Sequence, residues 1–177
     1  MQASREIGIQ ILLAKRAFKN IGIKSEHDHL AALSSMHSFL THCANISKLL
    51  WSPPPRRGHN NIKSILGVDL AERIGIKNTD FPLLQLRDSR DHFDHFDERL
   101  VEWIEKCYPK NPTDPKISVL DWSVGTKVKS PNQFVVRHYD PDKKILTIMD
   151  EELCLADLDT ELTKLQGYID GPRILGE

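Results

Sequence analysis

Apolar positions recur at three- and four-residue steps through most of the first 110 residues, the spacing of helices that bury one face. Over residues 3–20 the stripe is Ile7, Ile11, Leu12, Ala14 and Phe18, closed by Ile21, with Lys15, Arg16 and Lys19 gathered where cations suit a helix C-terminus. Gly22 ends it, and Ser25 and Asp28 offer capping chemistry for a second helix running to about Trp51. That helix carries Leu30, Leu33, Met36, Phe39, Leu40, Cys43, Ile46, Leu49 and Leu50 on its face. Three prolines stiffen a loop over 52–61, and short helical pieces are expected over 61–67 and 69–75. A long helix is expected over 81–110. Pro82 suits its first turn, Pro109 and Pro112 mark its end, and Leu86, Phe93, Phe96, Leu100, Trp103, Ile104 and Cys107 form its stripe.

After Pro115 the pattern changes to β-formers. Residues 133–138 and 145–149 read as a hairpin whose turn lies at 140–143, around Asp140-Pro141-Asp142, and 117–124 reads as a third strand. Arg137 and His138 are expected on the solvent face of their strand. A last helix follows over about 154–169, with Leu155, Leu158, Leu162, Leu165 and Ile169 on one side. The predicted fold is mainly α: a helical bundle of four main helices, with a small antiparallel β-hairpin or three-stranded sheet before the C-terminal helix. It is expected as one domain over 1–177, with the bundle in 1–110, the β insertion in 116–150 and the terminal helix in 152–170.

Composition changes this picture little. The 177 residues are 40% hydrophobic and 28% charged with a net charge of −1, ordinary for a soluble globular chain and without a global pull toward nucleic acid. No apolar run approaches the ~20 residues of a membrane span. Gln10 and Lys15 interrupt the apolar stretch from Ile7 to Ala17, which is not a signal-peptide layout. Cys43, Cys107 and Cys154 are widely separated and odd in number, as in reduced thiols. A cytoplasmic protein without membrane contact is expected.

The chemistry concentrates in residues 87–99, where Arg87, Arg90, His92, His95 and Arg99 alternate with carboxylates. On a helix His92 falls at the edge of the apolar stripe and His95 on the opposite, polar side. Bundle di-iron sites place a carboxylate three residues before a histidine. Here those positions hold Ser89 and His92, so neither a metal nor another cofactor is expected.

Arg90-Asp91 followed by His95, and Arg87-Asp88 followed by His92, repeat one arrangement: arginine, polar residue, three residues, histidine. This resembles the motif of the HEPN superfamily, small helical bundles, often dimeric, many of them metal-independent ribonucleases of toxin–antitoxin and defence systems. The stretch from Arg90 to Arg99 also looks like that of bacterial bundle proteins with no assigned activity. The resemblance implies Arg90, Asp91 and His95, or Arg87 and His92, as site residues, RNA or a nucleotide as ligand, and an antitoxin-type protein as partner. In such a site histidine takes the 2′-hydroxyl proton and arginine stabilises charge on the phosphorane. A homodimer across this helix would place two such pairs in one cleft. Trp51 and Trp103 would be wasted near the surface unless they pack inside or across a partner, and a two-fold dimer is expected. Yet Arg87, Arg90, Arg99 and Lys106 face seven carboxylates between residues 87 and 106, a local balance of −3 that suits a polyanion poorly. A HEPN-like binding or regulatory module is therefore the first expectation, and a HEPN-like ribonuclease the alternative.

Overall fold

The computed structural model describes residues 2–22, 28–51, 62–85, 96–107, 118–125 and 133–171. The fold is mainly helical. The chain divides into two compact units, Met1–Leu86 with Asp157–Glu177, and Arg87–Ala156.

The first unit holds α1 (Gln2–Lys19), α2 (His29–Leu50), α3 (Ile62–Arg73), a 3-10 turn (Asn78–Asp80), α4 (Pro82–Gln85) and nearly all of α6 (Leu155–Asp170). The stripe of α1 buries Ile7, Ile11, Ala14 and Ala17. Helix α2 runs antiparallel to it, since Phe18 meets Phe39 while Gln10 meets His42 and Asn45. Leu158, Leu162 and Leu165, one face of α6, are buried as well. Each is a residue whose truncation to alanine costs about 2–5 kcal/mol in a packed core.

Helix α3 is one continuous helix where the sequence suggests two short pieces. Gly67 is a contact point and not a break: a Cβ there would lie 2.8 Å from the Leu49 carbonyl oxygen and 3.0 Å from that of Leu50. The missing side chain lets α3 cross the end of α2 at backbone distance.

The second unit contains α5 (Phe96–Cys107) and a sheet of β1 (Ser118–Val124), β2 (Gln133–Asp140), β3 (Ile145–Ile148) and β4 (Glu151–Cys154), in that spatial order. Two features depart from the expected three-stranded antiparallel sheet. A fourth strand, β4, pairs antiparallel with β3. And β1 runs parallel to β2, with Ser118 opposite Gln133 and Val124 opposite Tyr139. Side-chain alternation marks a strand but not its partner's direction, which is why the pattern does not reveal this. The β2–β3 turn is as expected. Asp140 Oδ1 accepts the backbone N–H groups of Asp142 and Lys143, each at 3.1 Å, the hydrogen-bonding that suits aspartate to turns.

The long helix expected over 81–110 is represented by α4 and α5, and residues 86–95 between them lie outside the described residues. Helix α5 groups with the strands. Its Trp103 is 8% exposed and packs edge-on against Phe134 of β2. Trp51 lies 6.1 Å from Phe81, ring to ring. Both tryptophans find apolar neighbours in their own chain, so neither is a reason for a partner.

Candidate functional site

Arg87, Arg90, Asp91, His92 and His95 all lie outside the described residues. The structure shows how the chain is fixed on either side of them. On the approach, Phe81 is fully buried against Trp51 and Tyr168, with Lys164 Nζ 5.3 Å above its ring. Asp80 accepts a 3.0 Å hydrogen bond from the Tyr168 hydroxyl and lies 3.6 Å from Lys164. That hydrogen bond, with burial and the Asp80 charge, pushes the Tyr168 phenol up. Glu161 then accepts the backbone N–H groups of Leu83 and Leu84. The first N–H groups of a helix have no acceptor within it, Pro82 has none to satisfy, and this carboxylate from α6 takes the next two.

On the far side, α5 turns Leu100, Trp103 and Ile104 inward and leaves Glu98, Val101, Glu102, Glu105 and Lys106 exposed, three carboxylates to one cation. Its two cations lie near carboxylates at the β3–β4 turn and the start of β4. Arg99 lies 3.9 Å from Glu151 and Lys106 3.9 Å from Asp150. The outer face that follows the motif is therefore acidic.

A second polar cluster lies within the sheet. His138 is not on a solvent face: it is 6% exposed, and its Nδ1 lies 2.6 Å from Ser123 Oγ of the neighbouring strand. Buried Thr147 is its cross-strand partner. A serine hydroxyl this close to an imidazole has the spacing of a nucleophile and its base. The histidine is buried, so the pair is a polar contact within the sheet and not an open catalytic site. Arg137, beside it, is the partly exposed residue and pairs with Asp121, its Nη2 donating to Oδ2 at 2.6 Å and its Nε to Oδ1 at 3.2 Å.

In the first unit His42 Nδ1 donates to Gln10 Oε1 at 2.7 Å, because an amide oxygen can only accept. Asn45 donates to the same oxygen, and Gln10 donates on to Glu6. Burial pulls the His42 pKa down from 6.5. Cys43 is buried, and desolvation, with Asp159 and Glu161 nearby, holds its thiol protonated. Among the described residues no three histidines, cysteines or carboxylates are placed to share a metal ion, and no helix is long and apolar enough to cross a membrane.

Comparison with family models, with curated proteins and with solved structures finds no match to the chain.

Proposed function

We propose that the chain is a HEPN-like helical-bundle module that acts by binding a protein partner, as a homodimer, through segment 87–99. The observation that carries this reading is the charge of α5, which continues directly from the motif. Its solvent side presents Glu98, Glu102 and Glu105, while Arg99 and Lys106 face Glu151 and Asp150. Carboxylates this close in sequence to Arg90 and His95 oppose a polyanion and offset the counterion release that drives nucleic-acid binding. A protein surface bearing lysines or arginines gains from the same charges. An antitoxin-type partner belongs to that class. The test is fluorescence anisotropy with a labelled single-stranded RNA at low salt. The module reading expects no saturable binding. It fails if binding is tight, weakens steeply with salt and is lost in Arg90→Ala.

The spacing of Arg90, Asp91 and His95 supports a second reading, a metal-independent ribonuclease. In it Arg90 clamps phosphate and His95 is the general base, or Arg87 and His92 take those roles. Cleavage of an RNA pool in EDTA decides between the two.

A further inference from the structure

Helix α1 presents one stripe to solvent. Arg5, Ile9, Leu12, Arg16 and Lys19 follow one another at steps of four and three, so they share one face of the helix. All five are exposed, Ile9 at 42% and Leu12 at 67%. The stripe is apolar at its centre and cationic at both ends. Helix α5 carries the reverse. Glu98, Val101, Glu102 and Glu105 share its outer face, and Val101 is 55% exposed among the three carboxylates.

We propose that the α1 stripe of one copy of this chain docks on the α5 face of a second copy, and that a two-fold axis makes the contact twice. The basic surface that suits α5 is then α1 of the other copy. The inference rests on the reading of α5 given above and names its occupant.

Charge selects this pairing. With Val101 set between Ile9 and Leu12, Arg5 and Arg16 flank the contact on one helix and Glu98 and Glu105 on the other, whichever way the helices run. The two arginines stand about 16 Å apart along their axis and the two glutamates about 10 Å, a difference that arginine side chains reaching inward cover. Arg5, Arg16, Lys19, Glu102 and Glu105 form no ion pair in their own chain among the described residues, so for them the contact breaks none. The opposing charges stand aside. Glu6, on the flank of α1, accepts a hydrogen bond from Gln10, and Lys106, on the flank of α5, lies beside Asp150. Asp170 lines the groove beside Arg5 and leaves the stripe cationic. Two α1 stripes would instead meet cation on cation.

Sedimentation equilibrium over a concentration series tests this with the full chain and two variants, Arg5→Glu/Arg16→Glu on α1 and Glu102→Lys/Glu105→Lys on α5. The wild type should move from 20.2 kDa toward twice that mass, less readily as salt screens the charges. Each variant alone should dimerise about tenfold or more weakly, as changes at the centre of an interface do. An equimolar mixture of the two should regain the dimer, because each then offers the face the other needs. All four side chains are exposed, so thermal unfolding at low concentration should match the wild type and show that the variants fold. Variants that stay monomeric when mixed overturn the pairing of α1 with α5. A dimer that both variants retain alone overturns this contact and leaves the homodimer standing. A wild type monomeric throughout overturns both, and if that monomer co-sediments with phosphatidylserine vesicles the α1 stripe is a membrane surface instead.

Discussion

Glu161 accepts the backbone N–H of Leu83 at 2.9 Å and of Leu84 at 2.8 Å, reaching back 78 and 77 positions along the chain. One carboxylate of the terminal helix thus fixes the turn from which segment 87–99 departs. Replacing Glu161 with alanine leaves two half-buried donors unpaired. Charge-assisted bonds of this kind place the cost at about 2 kcal/mol. Glu161→Gln keeps one acceptor oxygen and should lose roughly half as much. Urea unfolding measures both, and an alanine variant as stable as the wild type would remove the clamp from the account.

Gly67 gives a prediction whose sign opposes helix propensity. In an exposed helix Gly→Ala stabilises by about 1 kcal/mol. Here the new methyl would press on the Leu49 carbonyl at 2.8 Å, and backbone cannot swing aside as a side chain can. Gly67→Ala should lower the melting temperature, whereas Gly8→Ala, with open space around it, should raise it or leave it unchanged.

His42 makes stability depend on pH. Burial lowers its folded-state pKa below the 6.5 of the unfolded chain, so the unfolded state binds the proton more readily. No stability is lost to this group above that value. Stability falls as pH drops through 6.5 toward the lowered folded pKa, and the loss is complete below it. Denaturation of the wild type and of His42→Gln between pH 7.5 and pH 5 should show the smaller decline in the variant, at about neutral-to-acid pH. An equal slope in both would reject the assignment.

Cys43 should be chemically silent. Its thiol is buried and held protonated, whereas nucleophilic attack needs the thiolate. Mass mapping after brief exposure to a maleimide should find Cys43 unmodified in native protein and fully modified in denaturant. Modification at the rate of a free thiol without denaturant would contradict the packing of α2.

Much of the helical architecture was legible because helical burial writes a 3.6-residue period into the sequence. The Leu155, Leu158, Leu162, Leu165 face gave the terminal helix to within a residue, and the Asp140-Pro141-Asp142 turn placed its hairpin. Strand β4 was not legible. Its turn passes through Met149 at φ 57°, a left-handed position that glycine or asparagine would have flagged, and Glu151-Glu152-Leu153-Cys154 has no run of β-formers. His138 was misplaced for a related reason. The sheet buries residues of both faces, Val136 and His138 on one and Tyr139 and Ile148 on the other, so the alternation that separates core from solvent is lost. The chemistry of Arg87, Arg90, Asp91, His92 and His95 could be read as residue types at a spacing. The acidic outer face of α5 was readable as a charge count, but the engagement of Arg99 and Lys106 by the β3–β4 turn joins residues 44 or more positions apart, beyond any local pattern.

The central claim is that segment 87–99 binds and does not cut. Its most direct test is incubation of the purified chain with a mixed RNA pool in EDTA, beside Arg87→Ala, Arg90→Ala, His92→Ala and His95→Ala. The account predicts that wild type and variants alike leave the RNA intact while remaining folded. Cleavage by the wild type that falls by about a hundredfold in Arg90→Ala and His95→Ala, the usual scale of a lost general base or charge clamp, would contradict it and establish the nuclease.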